Sequence, residues 1–202
     1  MGSLAPYIGE CWQLVDLTKP SLYVSLLSLA FNPVAWNIVA RNEYHNKTIT
    51  CLFGGNARHG CYFLALLIFS FGCLRDTLRA LEDQPHRALL PPSLAIIVPA
   101  ALALVGQVLV LSSTWALGIT GTFLGDYFGI LMDHRVEGFP FNILRDPMYD
   151  GSTLCFLAGA LYSESPVGLL ITGYVYIIYR IALRYEGPFT DMIYSTRAAK
   201  KH

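Results

Sequence analysis

The sequence is poor in charged residues and shows no cysteine or histidine pattern typical of a metal site. Only 14% of its 202 residues are charged, against about 25% in an ordinary soluble domain. Its 14 basic side chains balance 14 acidic ones, so no net field would recruit nucleic acid. The five cysteines contain no CxxC pair, and His45 and His59 have no partner at metal-ligand spacing. We therefore expect no nucleic-acid partner, no disulfide framework and no bound metal.

Long apolar segments take the place of the missing charge. Hydrophobic residues make up 54% of the chain, and the mean hydropathy is +0.46. A run of about 20 apolar residues is long enough to cross a bilayer as a helix. The sequence therefore predicts one all-α integral membrane domain, residues 1–202, with four to five membrane-embedded helices. The predicted segments are 21–40, 51–74, 93–119, 152–183 and a polar tail at 184–202.

Two of these segments have more than one interpretation. Segment 21–40 either spans the membrane or turns back within it, because Asn32 and Pro33 interrupt its apolar run. Segment 152–183 either crosses once or forms a hairpin of two helices. The hairpin is preferred, since it places most Lys and Arg residues of the connecting regions on one side of the membrane.

A polar island at 118–151 lies between the apolar segments. It is rich in Gly and Pro and concentrates acidic and basic side chains between two stretches that have few. Non-helical backbone at membrane depth is tolerated only where protein buries it or where it lines a wet cavity. The island is therefore predicted to be a polar catalytic loop that meets a small polar ligand.

Two motifs resemble those of integral membrane methyltransferases. The island holds Arg145-x-Pro147-x-Tyr149-x-Gly151, and Arg184-Tyr185-Glu186 follows the predicted hairpin. Further stretches, in register along nearly the whole chain, resemble the phospholipid N-methyltransferase family, which converts phosphatidylethanolamine to phosphatidylcholine. These stretches are 31–33, 36–41, 108–113, 117–118, 121–131, 139–143, 146–149, 151–153 and 188–190. Within the family, the chain looks most like the branch that methylates the mono- and dimethylated intermediates.

The resemblance implies S-adenosylmethionine as the methyl donor, bound without a metal in a cytosol-facing pocket. The implied donor contacts are Leu104, Val105 and Gly106 at a Gly-x-Gly position, Tyr149, and Glu186 and Gly187 at a Glu-Glu position. Leu104 and Gly187 depart from the family pattern. Because one donor must touch both Tyr149 and Glu186, the resemblance also favours the hairpin.

The chemistry of methyl transfer to a lipid amine suggests further candidates. The amine must lose a proton before it attacks, and the lipid phosphate needs a cation. The candidate proton acceptors are Asp126, Asp133, His134 and Glu137, and the candidate phosphate ligands are Arg135 and Arg145. Tyr127 offers an aromatic face to a methylated ammonium group.

Plainer interpretations of three of these residues stay open at this point. Gly106 is also typical of a helix-packing glycine, and Tyr127 of an aromatic residue at the membrane interface. His134 is also typical of a solvated loop.

The expected function is therefore S-adenosylmethionine-dependent N-methylation of phosphatidylethanolamine-type head groups, chiefly the last two steps. The phospholipid would enter from the bilayer. The resemblance implies the endoplasmic reticulum membrane, with the mitochondrial membrane as a second location. Two alternatives are an enzyme with another acceptor, such as a prenylcysteine carboxyl group, and a non-catalytic relative.

Overall fold

The computed structural model describes residues 13–76, 81–133 and 136–199, and every regular element within these ranges is a helix. The all-α prediction is therefore confirmed. In chain order the elements are α1 (Pro20–Asn46), α2 (Thr48–Leu52), α3 (Ala57–Asp76), α4 (Ile97–Thr122), a short 3-10 helix (Gly125–Phe128), α5 (Pro147–Tyr162) and α6 (Pro166–Ala199).

Three helical stretches among the described residues are long and apolar enough to cross a membrane. They are Pro20–Asn46, Ile97–Phe128 and Pro166–Arg197, and a shorter apolar helix covers Ala57–Cys73. The outward-facing side chains of these stretches include Leu27, Ile97 and Trp115, which are mostly exposed. A large apolar surface of this kind is suited to lipid rather than water. The protein is therefore an integral membrane protein.

Segment 21–40 was expected either to span the membrane or to turn back within it. In the structure, helix α1 runs without interruption through Pro33. The Asn37 side-chain amide donates a hydrogen bond to the Pro33 carbonyl oxygen at 2.9 Å. The helix continues to Asn46, so much of the polar stretch after residue 40 is helical. Buried Glu43 accepts a bond from the Ile49 backbone N–H at 2.6 Å, and thereby caps the first turn of α2.

Helices α5 and α6 form the antiparallel hairpin that was one of the two alternatives for 152–183. A three-residue turn joins them, and the Ser165 hydroxyl oxygen accepts a bond from the Gly168 N–H at 3.2 Å. Near this turn Gly168 packs against Ala160, and at the far end Tyr149 meets Glu186. Residue 147 and residue 186 are thereby brought to the same end of the bundle.

The boundary predicted at residue 184 does not exist, because α6 continues through Pro188 to Ala199. Helix α6 has 34 residues and α5 only 16, so the end of α6 passes beyond its hairpin partner. That end packs against α1 and the 3-10 helix, where Ile193 joins Ala40 and Tyr127 in a buried cluster. The burial of Ile193 explains why a stretch that looks polar in sequence is an ordered helix.

Helices α4 and α5 approach each other closely at two glycines. A Cβ atom on Gly106 would lie 2.6 Å from the Gly151 carbonyl oxygen and 2.7 Å from the Cys155 Sγ. A Cβ atom on Gly151 would lie 2.7 Å from the Gly106 carbonyl oxygen. Neither position has room for a side chain, so the two backbones touch as in other small-residue membrane helix contacts.

The contact between Gly106 and Gly151 leads to a stability prediction. Gly106→Ala should destabilise the protein by about 1–3 kcal/mol, because backbone atoms of α5 would have to move. Gly159→Ala, also in α5, is the matched control, since a Cβ there meets nothing within 4 Å. Thermal unfolding of the detergent-purified protein should show a lower melting temperature for Gly106→Ala alone. Equal melting temperatures for the two variants would contradict the packing role of Gly106.

Candidate active site

A cavity of about 840 Å³ lies between helices α1, α3, α4, α5 and α6. Its volume falls in the range of roughly 300–1,000 Å³ that is usual for small-molecule sites. One part of its wall is apolar and is formed by Leu29, Trp36, Ile68, Phe69, Val110 and Leu111. Another part carries Asp126, Arg145, Asp146, Tyr149, Glu186 and Thr190. The cavity therefore offers both an apolar wall and a group of charged side chains.

The Glu186 carboxylate is held from two sides by different helices. Tyr149, in the first turn of α5, donates its hydroxyl proton to Oε2 at 2.6 Å. Asn37 of α1 donates from Nδ2 to Oε1 at 2.8 Å. Pro147 begins α5 and thereby fixes where Tyr149 lies. The Tyr149 ring also packs edge-on against Tyr179 of α6, with ring centroids 5.0 Å apart.

A second carboxylate, that of Asp126, faces the cavity from the 3-10 helix. Its Oδ2 accepts a bond from the Thr190 hydroxyl of α6 at 2.9 Å. The turn that precedes it is tight, because a Cβ on Gly125 would lie 2.5 Å from the Thr120 carbonyl oxygen. The geometry of this turn therefore places an acidic group on the same cavity wall as the end of α6.

An ion-pair cluster joins the two helices of the hairpin next to Tyr149. Arg180 of α6 donates a hydrogen bond to the Asp150 carboxylate, and it lies 3.9 Å from the Asp146 carboxylate. Burial raises the pKa of the Asp146 carboxyl group, and the nearby charges of Arg145 and Arg180 act in the opposite direction. Arg180 is thereby paired within the hairpin.

Comparisons with known proteins identify the family. The family model for phospholipid methyltransferases matches residues 94–197. Phosphatidyl-N-methylethanolamine N-methyltransferase of Saccharomyces cerevisiae is 53% identical over 99% of this chain and 98% of its own. The enzyme of that name in Neurospora crassa is 52% identical over 94% of this chain and 90% of its own. The chain belongs to the phospholipid methyltransferase family.

A further relative, human phosphatidylethanolamine N-methyltransferase, is 44% identical over 93% of this chain and 95% of its own. No solved structure matches the chain. The family model begins just before α4, so it covers the hairpin, the 3-10 helix and Glu186 but not α1. This member of the family is a membrane-embedded enzyme with a helical fold.

The structure brings four of the candidate site residues together. Asp126, Arg145, Tyr149 and Glu186 all line the cavity. Gly187 lies beside them, and a Cβ atom there would be 3.9 Å from Arg145 Nη2. Gly187, which occupies the second position of the family's Glu-Glu motif, therefore lies next to Arg145 of the cavity wall.

Two other candidates, Asp133 and Glu137, lie away from the cavity. Asp133 and Glu137 are exposed in the loop before α5, and Asp133 lies 3.9 Å from Arg197. His134 and Arg135 lie outside the described residues. Their roles therefore remain predictions from the sequence.

The three residues at the Gly-x-Gly position do not line the cavity. Leu104 and Val105 are 67% and 51% exposed on the outer face of α4. Gly106 is buried against α5, in the packing role that was the plainer interpretation. The next residue, Gln107, does line the cavity. The part of α4 that lines the cavity therefore begins at Gln107, directly after the Gly-x-Gly position.

Tyr127 is fully buried rather than placed at a membrane interface. Its ring stacks on Phe189 with centroids 5.0 Å apart, and Arg41 lies 4.7 Å from the Phe189 ring on α6. Tyr127 therefore helps to hold the 3-10 helix against α6, and through it the position of Asp126.

Sequence reasoning did not select Asn37, Thr190 or Asp146 as site residues. The sequence marks Asn37 only as a polar amide within an apolar segment. Polar side chains in such segments usually face the protein interior. Thr190 and Asp146 lie in stretches that resemble the family, but nothing in those stretches shows which residues they contact. Only the folded structure shows that Thr190 bonds Asp126.

The Arg180 cluster leads to a second prediction. Arg180→Gln and Asp150→Asn should each destabilise the protein by about 1–2 kcal/mol, because each removes the hydrogen bond between two partly buried charged groups. The double variant should lose less than the sum of the two, since the bond between Arg180 and Asp150 can be lost only once. Thermal unfolding of the purified proteins checks this, with Arg184→Gln on the exposed side of α6 as control. Strictly additive losses would contradict direct coupling.

Proposed function

We propose that this chain transfers methyl groups from S-adenosylmethionine to the amine of phosphatidylethanolamine-type lipids, with the mono- and dimethylated forms as its main acceptors. The supporting observation is a single cavity in which Glu186, Tyr149 and Asp126 share the wall with an apolar surface. The names of the yeast and Neurospora relatives support the choice of acceptor.

The residues on the charged wall fit the proposed donor. S-adenosylmethionine supplies a methyl group activated by a positively charged sulfur, and it also carries an ammonium group and a ribose diol. Glu186 and Asp126 can accept hydrogen bonds from hydroxyl or ammonium groups. The ring faces of Tyr149 and Tyr179 suit a cation. Among the residues that the structure describes, no group of His, Cys, Asp and Glu side chains could hold a metal ion.

The remaining lining residues fit a phospholipid acceptor. The apolar wall from α1, α3 and α4 suits acyl chains, so the lipid would enter sideways from the bilayer. Arg145 is the cation for the lipid phosphate, and Phe141 offers an aromatic face to the methylated ammonium group. Arg135 remains an alternative phosphate ligand.

Asp126 is our choice for the proton acceptor, because it alone of the four candidates lines the cavity in the described residues. It would take the proton of the lipid ammonium group and leave a neutral amine. The amine nitrogen then attacks the methyl carbon as the carbon–sulfur bond breaks and its electron pair stays on sulfur. Positioning of the two substrates would supply much of the rate. Asp133, His134 and Glu137 remain alternatives.

We further propose that the charged wall faces the cytosol in the endoplasmic reticulum membrane, with the mitochondrial membrane as a second location. Several basic residues meet the same end of the bundle. Lys47 donates to the Tyr127 carbonyl oxygen at 3.4 Å, Arg197 to that of Met132 at 3.1 Å, and Arg41 to that of Tyr185 at 2.8 Å. An excess of Lys and Arg is typical of the cytoplasmic side.

The proposed function is tested by supplying labelled S-adenosylmethionine to membranes that contain the chain. Phosphatidylethanolamine, its monomethyl form and its dimethyl form are offered in parallel. We expect label in the two methylated acceptors and little in phosphatidylethanolamine. Equal labelling of all three would make the chain an enzyme of the whole pathway. No labelled lipid with folded protein present would contradict the proposal and favour another acceptor or a non-catalytic relative.

Two substitutions separate the proposed roles of the carboxylates. Glu186→Gln should raise the KM for S-adenosylmethionine about tenfold or more, because a charge-assisted hydrogen bond to the donor is lost. Asp126→Asn should instead lower kcat about 100-fold, as expected for removal of a general base, with a smaller change in the donor KM. Initial rates at varied donor and lipid concentrations check both. A rise in donor KM for Asp126→Asn alone would reverse the assignment.

A further inference from the structure

We infer that Asn37 is a positioning residue for the donor site, and that its side-chain amide holds the Glu186 carboxylate in the orientation that binds the methyl donor. This inference rests on the proposed function, since it assumes that Glu186 binds S-adenosylmethionine. It adds helix α1, which lies outside residues 94–197 matched by the family model, to the proposed donor site.

The hydrogen bonds fix the Asn37 amide in one orientation. Its Nδ2 donates to the Glu186 Oε1 at 2.8 Å and to the Pro33 carbonyl oxygen at 2.9 Å. Both partners are acceptors only, so the nitrogen and not the oxygen must face them. The amide is thereby tied to its own helix by one bond and to α6 by the other.

Asn37 and Tyr149 together leave the Glu186 carboxylate little freedom. One donor lies on each oxygen, and the two donors come from α1 and α5. Each carboxylate oxygen has a second lone pair, which remains available to a ribose hydroxyl or an ammonium group of the donor. A carboxylate that is already oriented loses less entropy on binding than a freely rotating one.

The same residue links the two walls of the cavity. Leu29, Pro33 and Trp36 of α1 line the cavity, and Asn37 follows them on the helix. The part of α1 that faces the lipid site is therefore joined by one hydrogen bond to the carboxylate of the proposed donor site. A purely structural amide between α1 and α6 would affect stability, whereas a positioning amide would affect donor binding.

The test measures both KM values in the full-length protein with S-adenosylmethionine and the dimethyl lipid. Asn37→Ala should raise the donor KM about tenfold or more, the usual cost of losing a hydrogen bond to a charged group. The lipid KM should stay within about twofold, as expected if the acyl wall is unchanged. Asn42→Ala is the matched control, since Asn42 lies on the same helix and its amide donates to the Thr48 hydroxyl instead. That control should leave both KM values unchanged.

A second variant gives a readout that a structural role would not produce. In Asn37→Asp, two carboxyl groups at hydrogen-bond distance share one proton at low pH and repel each other once both are charged. The donor KM should therefore be near the wild-type value at the acidic end of the profile and rise as the pH increases. The other charged or titratable groups near Glu186 are Tyr149, Asp126, Arg41 and Arg145. These groups are present in both proteins, so the pH profile of the wild type is the reference for Asn37→Asp.

The outcomes distinguish this inference from the proposed function. A wild-type chain that methylates lipid, with unchanged donor KM in Asn37→Ala and no added pH dependence in Asn37→Asp, would overturn the role of Asn37 alone. If Asn37→Ala does not fold, the pH profile of Asn37→Asp decides by itself. A wild-type chain that neither binds nor consumes S-adenosylmethionine would overturn both proposals. An increase in donor KM that grows with pH only in Asn37→Asp would support the inference.

Discussion

The Glu186 carboxylate is the point on which three helices of this protein converge. It lies on α6, and it accepts hydrogen bonds from Tyr149 of α5 and Asn37 of α1. A carboxylate in a membrane protein is costly unless its oxygens are hydrogen-bonded, so these two donors allow it to stay there. Because the donors belong to different helices, the position of the carboxylate depends on how the whole bundle packs. The rest of the cavity is arranged around it.

The packing that supports this carboxylate uses several kinds of contact. Gly106 and Gly151 let α4 and α5 touch, which sets the position of the first turn of α5. Arg180 binds the acidic residues on either side of Tyr149 and thereby joins α5 to α6. Tyr127 stacks on Phe189 and holds the 3-10 helix against the same end of α6. Each contact thereby helps to position a residue of the cavity wall.

This arrangement suits a reaction between a charged, water-soluble donor and a lipid. The acidic groups lie where α5 and α6 meet the 3-10 helix, and the apolar wall belongs to α1, α3 and α4. In the proposed reaction, the two substrates would approach from different directions and meet within one cavity. The family to which the chain belongs modifies phospholipids, and the proposed use of the cavity would let a fold with few charged residues serve both substrates.

The sequence by itself determined the helical membrane fold, because runs of apolar residues report length and hydropathy directly. It also identified the family, and it selected Tyr149 and Glu186 as candidate site residues because both lie in recognisable motifs. It did not show that residues 184–199 extend α6, because their burial depends on contacts with α1. Only the tertiary structure decided that Gly106 packs against α5 and that Asn37 bonds Glu186. Asn37 and Glu186 are 149 positions apart in the sequence, and no local pattern can report a contact that forms only when distant helices pack.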